Sequence, residues 1–260
     1  MASAKTSFVC TECGWTTVKW VGRCAECQQW DTMQEASAGR GLGSTKQVSA
    51  VRLVPAATAK PITDVSTKPV AAWPTKVGEF DRVLGGGLVP GAVILLSGEP
   101  GVGKSTLLLE VAANAARGGE KVLYVSGEES VGQVRLRAER TGALVDQLYL
   151  AAETDLATVL GQIEAVSPQL LVIDSVQTIA SAEIDGAAGM PSQVREVAAN
   201  LIRVAKEKAL PVIMVGHVTK DGSIAGPRAL EHLVDVVCHF EGDRQTSLRF
   251  VRSLKNRFGR

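Results

Sequence analysis

The chain has 260 residues, of which 45% are hydrophobic and 21% charged, and its net charge is +1. That length holds one α/β domain and a small accessory module. No apolar run reaches a membrane span and no export signal opens the chain, so a cytoplasmic protein with no membrane partner is expected. The charge is segregated: residues 1–70 carry eight Lys/Arg against five Asp/Glu, and Arg244 to Arg260 holds six basic residues and no acidic one. Local contact with polyanions fits such a distribution.

Two C-x-x-C pairs come first, Cys10/Cys13 and Cys24/Cys27, with ten residues between them. Each pair can form a tight knuckle whose thiolates occupy one side of a tetrahedron, so the four together suit one closed, structural Zn²⁺. Disulfides are the competing reading; a cytoplasmic setting disfavours them, and a module of some thirty residues has too little core to fold without a staple. Trp15, Trp20 and Trp30 are expected to pack around the metal rather than to stack on bases. The fifth cysteine, Cys238, falls in an apolar run and reads as an inert buried thiol. The expected zinc module spans 1–32. Residues 33–70, rich in Ala, Gly, Ser, Thr and Lys and without helical or strand period, read as a linker.

The main domain is expected over 71–260. A short helix should end at the triple glycine Gly85-Gly86-Gly87. Strand-like runs follow at Val93–Leu96, Lys121–Val125, Leu148–Ala151, Leu170–Ile173 and Val212–Val215, separated by helical patterns at Ser105–Arg117, Gly132–Thr141, Asp155–Ala165 and Ser192–Ala209. In the last helix Val194, Val197, Ala198, Leu201, Ile202 and Ala205 recur on one face. Apolar strands alternating with amphipathic helices predict an α/β fold, a mainly parallel sheet with helices on both faces. Val234–Phe240 and Ser247–Leu254 read as an antiparallel hairpin at its edge rather than another crossover.

The run ending at Leu96 breaks into Ser97-Gly98-Glu99-Pro100-Gly101-Val102-Gly103-Lys104-Ser105-Thr106 and resumes as Leu107-Leu108-Leu109. This matches G-x-x-x-x-G-K-[ST] in the strand–loop–helix context that the motif requires. The glycines free successive N–H groups to converge on phosphate oxygens, Lys104 adds a point charge, and Ser105 can place its hydroxyl on Mg²⁺. Gly98 to Thr106 are therefore the expected ATP cradle. Leu170 to Ile173 lead into Asp174, a carboxylate at a strand end that can hold the Mg²⁺ water shell opposite Ser105. Glu128 and Glu129 close another strand and should face the nucleotide. Glu128 is preferred as the base that orients water; Glu129 fits equally well as a helix N-terminal carboxylate. His217, also at a strand end, suits coupling of the γ-phosphate to the following loop, and a structural role as well.

The four-cysteine module, the GEPGVGKST loop, the Ser126-Gly127-Glu128-Glu129-Ser130 strand end, the LLVIDS strand and the closing Lys255-Asn256-Arg257-Phe258-Gly259 together resemble bacterial RadA, also called Sms. The resemblance runs in order through the chain, and the final pentapeptide is its most specific part. It implies a RecA-like ATPase core behind a zinc module. It also implies ring-shaped, hexameric assembly, helicase-type activity on single-stranded and branched DNA, branch migration of recombination intermediates in repair, and partnership with the RecA recombinase. Family members continue past the pentapeptide into a Lon-protease-like domain, so the chain reads as truncated after it. Lys255 and Arg257 are one residue apart and would share a strand face, where they could reach a neighbour's γ-phosphate; a solvated basic edge strand fits too. Loops 179–191 and 217–228 would face the ring channel, with Lys220 and Arg228 as phosphate contacts. A regulatory ATPase of the same core that binds protein rather than DNA is the alternative, and a zinc-tethered adaptor that uses ATP only to assemble is a third.

Overall fold

The computed structural model describes residues 7–10, 16–30, 32–36, 61–64, 71–218, 227–243 and 246–259. They fall into two compact units, 1–66 and 67–260.

In the first unit β1 (Ser7–Cys10) lies between β2 (Thr16–Thr17) and β3 (Met33–Ala36), antiparallel to both. Strand pairing thus continues through Ala36, four residues into the stretch that composition marks as linker. Buried Cys10 and Cys24 form the centre of the unit, with Phe8, Val21 and Cys27 packed on them. The tryptophan expectation fails here. Trp20 is 63% and Trp30 68% exposed, and Trp15 lies outside the described residues. The short, smaller side chains of Phe8 and Val21 fill the space beside the thiols, leaving the larger indoles outside.

The second unit opens with α1 (Gly78–Leu84), which ends at Gly85 in the left-handed conformation; the Gly85 N–H caps the carbonyl of Arg82. Strands and helices then alternate: β4 (Val93–Gly98), α2 (Lys104–Arg117), β5 (Val122–Ser126), α3 (Val131–Arg140), β6 (Leu148–Ala152), α4 (Leu156–Val166), β7 (Leu170–Asp174), α5 (Pro191–Lys208) and β8 (Val212–His217). β9 (Val236–Gly242) and β10 (Arg249–Asn256) close the chain. The sheet order is β10-β9-β4-β8-β7-β5-β6, parallel throughout except for β10.

The sheet is buried on both sides because successive side chains of each apolar strand point to opposite faces. Ile94, Leu96, Tyr124, Val172 and Ile213 pack against Leu108, Val111 and Ala112 of α2 and Val134 of α3. Val93, Leu95, Leu123, Leu171 and Met214 pack against Val159 and Ile163 of α4 and Val194, Val197 and Leu201 of α5. Val204 completes the buried face of α5, whereas Ile202 is only partly covered. Local signals set the helix starts: Ser130 and Gln133 form a capping box on α3, Asp155 caps α4 through the Thr158 N–H, and Pro191 is the first residue of α5.

The edge differs from expectation in one respect. β9 and β10 do form an antiparallel hairpin, but β9 itself joins the sheet parallel to β4, so the chain crosses β4 on its way from β8. Cys238 on β9 is fully buried, and burial pushes its thiol up to about 12. Such a thiol is inert at neutral pH.

Candidate active site at the carboxyl end of the sheet

β4 sits at the switch point of the topology, with β8 on one side and β9 on the other, while the chain leaving it travels to β5 beyond β8 and β7. Ligands of open α/β sheets bind at the carboxyl ends of strands beside such a point. The loop from Gly98 to Gly103 occupies this place. A Cβ on Gly98 would lie 2.3 Å from the Phe240 carbonyl oxygen, so only glycine allows β9 to run this close; Gly101 and Gly103 adopt left-handed φ of 78° and 105°. α2 starts at Lys104, so its positive end points into the loop. Ser105 and Thr106 follow in the first turn.

Lys104 is buried, and its Nζ donates to the carbonyls of Gly98 (2.9 Å) and Glu99 (2.7 Å). Burial lowers its pKa, while the charges of Asp174 and Glu128 act in the opposite sense. The ammonium thus sits within the loop, held by two of its carbonyls. Arg249 of β10 reaches the same loop, its Nε donating to the Val102 carbonyl at 3.0 Å.

Asp174 ends β7 and is buried; the hydroxyl of Tyr124 donates to its Oδ2 at 2.7 Å. Burial, then the Asp174 charge, push the Tyr124 phenol well above its ordinary range, so it remains a donor. Glu128 Oε1 accepts from Ser175 Oγ at 2.7 Å and lies 3.0 Å from His217 Nε2. These contacts, His217 foremost and Ser175 after burial's opposing push, bring its pKa to about 2, with Lys104 contributing through charge. Glu128 is therefore a fixed anion beside Lys104. Glu129 turns away and pairs with Arg137 of α3. Only a glycine fits before them, since a Cβ on Gly127 would fall 2.0 Å from Thr178 Oγ1.

Gln177 was not singled out by the sequence. Its Nε2 donates to the His217 carbonyl (2.8 Å) and its Oε1 accepts the His217 N–H (2.9 Å), which prolongs the β7–β8 pairing by one side chain. His217 is thereby placed over Glu128. Tyr124 and Gln177 had one visible signal: each is a hydrogen-bonding side chain next to an otherwise apolar strand, where a buried polar group must find a partner.

The cations of the closing pentapeptide lie elsewhere. β10 ends at Asn256 after an irregularity between Ser253 and Lys255, so Arg257 is just past the strand rather than on its face. Both still reach one turn: Lys255 Nζ donates to the carbonyls of Glu231 and Val234 (2.8 Å each), and Arg257 Nη1 lies 3.2 Å from Asp235 Oδ1. Asp235 also accepts from Lys206 (2.5 Å) and from the N–H of Val93, the first residue of β4. This is the amino end of the sheet, about 17 Å from Gly98 at a rise of about 3.3 Å per residue.

Of the two loops proposed to face a channel, 179–191 carries Glu183 and Asp185 and no Lys or Arg. It is wrapped on Gln193 of α5, whose Nε2 donates to the carbonyls of Ser181, Ile184 and Gly186. Arg228 is exposed in a short 3-10 turn, Pro227–Ala229. Lys220 lies outside the described residues.

In the first unit the sulfurs of Cys10, Cys24 and Cys27 lie within 4.8 Å of one another, and Cys10 and Cys27 are 3.7 Å apart. A disulfide needs about 2.05 Å; four thiolates at about 2.3 Å from one Zn²⁺ are spaced by about 3.8 Å. The three described thiols fit zinc. Cys13, the expected fourth ligand, lies outside the described residues.

The AAA domain family matches residues 79–223, from α1 through the phosphate loop and β7 to the end of β8. The chain belongs to that family. Residues 8–35 match the rubredoxin metal binding domain, in agreement with the thiol cluster. Over its whole length the chain is 55% identical to the DNA repair protein RadA of Mycobacterium tuberculosis H37Rv and 46% identical to that of Bacillus subtilis 168. It spans 54% and 57% of those proteins' lengths. The resemblance to RadA that the motifs carry thus extends over every segment of the chain. Among solved structures, a KaiC-like protein from Pyrococcus horikoshii OT3 aligns with 74% of this chain and 91% of its own, with a TM-score of 0.58 and 22% identity, a likeness of fold.

Proposed function

We propose that this chain is the zinc module and motor core of a DNA-dependent ATPase that acts as a ring-shaped motor on single-stranded or branched DNA and promotes branch migration during repair and recombination.

ATP is held by Gly98 to Thr106, with Lys104 on the terminal phosphates and Mg²⁺ between Ser105 and Asp174. Glu128 orients the attacking water, and Lys255 and Arg257 act on the site of the neighbouring subunit. Bound Mg²⁺ would neutralise charge on the phosphates. The chain's own residues do the rest: the loop amides and Lys104 position the phosphates, Tyr124 fixes the Asp174 carboxylate, and Ser175 and His217 aim Glu128.

The observation that carries this reading is the separation of the two charged ends of the sheet. Lys255 and Arg257 are anchored on the Glu231 and Val234 carbonyls and Asp235 at the amino end of β4, so within this chain their charges are turned away from the loop that they would serve. A second copy can bring them there. Hexameric assembly, DNA as the track and the RecA recombinase as partner are the finer parts of the proposal and rest on the likeness to RadA. Exposed Arg228 and, by sequence, Lys220 are the proposed phosphate contacts.

The test is ATP turnover with and without single-stranded DNA. Stimulation that saturates with DNA and weakens as salt rises is the expected result. Turnover indifferent to DNA would favour a regulatory ATPase that binds protein, and nucleotide binding without turnover would leave only an ATP-assembled adaptor.

A further inference from the structure

The two exposed indoles of the zinc unit lie outside its thiol core. Trp20 and Trp30 nevertheless converge: a Cβ on Gly22 would lie 3.6 Å from Trp20 Cη2 and 4.0 Å from Trp30 Cζ3. The Arg23 guanidinium stands over the Trp30 ring, 5.7 Å from its centroid, and is held there by bonds from its Nε and Nη2 to the Gln28 carbonyl and Oε1, both 2.8 Å. Val18 and Lys19, which precede Trp20 in sequence, are exposed too. Such large aromatic surfaces left in water on so small a unit mark an interaction face. Its chemistry is specific: flat π surfaces, one already capped by a cation, with a second cation adjacent and Glu26 the one acidic side chain among residues 16–30.

We propose that Trp20 and Trp30 form a base-stacking surface for single-stranded DNA, with Lys19 and Arg23 facing its phosphates. Bases offer a π face whatever their identity, and an aromatic pair flanked by cations holds them without reading sequence. A protein partner would also value apolar area, but the fixed guanidinium over Trp30 places positive charge at the centre of the face, where a polyanion is the better match. The proposal shares with the motor reading only the choice of DNA as ligand; it adds a contact outside the ATPase core.

The experiment uses the full chain and two labelled probes, a thymidine oligonucleotide of about 20 nucleotides and an abasic strand of equal length, read by fluorescence anisotropy. Trp20→Ala and Trp30→Ala should each weaken binding of the thymidine strand by about fivefold to a hundredfold and leave the abasic strand unaffected. Trp30→Tyr should restore most of the loss. Zinc content and DNA-free ATP turnover, unchanged in these variants, establish that the fold is intact. In the wild type, the thymidine strand should also quench tryptophan emission more than the abasic strand does, a readout that needs no variant. Unaltered thymidine affinity in a zinc-replete double variant, equal loss on both probes, or equal quenching by both would overturn the proposal. So would loss of a protein partner with DNA affinity intact, which would assign the face to protein. If the wild type bound through this face while its ATP turnover ignored DNA, the motor reading would fall and this one would stand.

Discussion

At the carboxyl ends of β4, β5, β7 and β8, two carboxylates, Asp174 and Glu128, surround one buried ammonium, Lys104. At the amino ends of β4 and β9 the ratio is inverted, with Lys206, Lys255 and Arg257 gathered about one buried carboxylate, Asp235. The first end carries the glycine loop, with Arg249 bonded to the Val102 carbonyl; the second holds its cations on carbonyls and a carboxylate away from that loop. The proposed action in trans would join the two ends, and a sheet cannot fold back on itself to do so. Association between copies is the proposed way to bring them together.

The largest effect should come from breaking the first end. Lys104→Ala is expected to reduce ATP turnover by about 10⁴-fold or more, because preorganised charge on the phosphates supplies most of the rate. Steady-state phosphate release measures it. Folding should survive, since Lys104 bonds only to loop carbonyls and its burial already opposes its charge.

Breaking the second end should cost nearly as much while leaving the first untouched. Arg257→Ala is expected to reduce turnover by about 10³-fold, the scale of a lost arginine finger, with ATP binding to one subunit nearly unchanged. Mixing Lys104→Ala subunits with Arg257→Ala subunits then tests the complementarity directly. Partial recovery in the mixture supports action in trans. A co-assembled mixture as inactive as either parent contradicts it, and full activity of Arg257→Ala alone would end the idea.

How much of this contrast could be read from the residues differs between the two ends. The cradle was legible because its chemistry is local: one turn of glycines, a lysine and a hydroxyl, contiguous in sequence and framed by a strand and a helix. The alternation of β4 through β8 with α2 through α5 was legible for a similar reason, since apolar runs buried on both faces leave a strong pattern. Asp235 was not legible. It gains meaning only when β9 inserts beside β4 and brings it to the Val93 N–H, a contact across 142 positions. Gln177, likewise, matters only because β7 and β8 are neighbours in the sheet. The tryptophans failed in the opposite sense: residue type argued for burial, but a unit centred on thiols has no room for them.

A smaller change separates the two adjacent glutamates. Glu128→Gln should bind ATP and turn it over about 10² to 10³ times more slowly, whereas Glu129→Gln should lose only the pairing with Arg137 and stay near the wild-type rate. Single-turnover kinetics with tight-binding controls will distinguish slow chemistry from weak binding. The reverse ranking would transfer the base to Glu129.

The smallest expected effects are in stability, and they compare the carboxylates of the two ends through pH. Burial pushes Asp235 up, but the Lys206 bond, the Val93 N–H and the charges of Lys206 and Arg257 outweigh it and hold the carboxyl below its usual value. Glu128 is lowered to about 2, chiefly by His217. A carboxylate lowered by folding stabilises the native state above its unfolded pKa and loses that contribution as pH falls through the folded value. Both contributions should therefore be complete at pH 7 and decline below about pH 4. Asp235→Asn should cost about 1–3 kcal/mol at pH 7, since it replaces one of the two accepting oxygens by a donor NH2 and removes the buried countercharge of Lys206 and Arg257. Glu128→Gln should cost less than about 1 kcal/mol, because a side chain 42% exposed is largely screened by water. Urea midpoints of the wild type and each variant at pH 7 and pH 3 measure both. The gap between wild type and Asp235→Asn should narrow in acid, and a gap that widened would mean that the Asp235 carboxyl is raised by burial rather than held down by its cations.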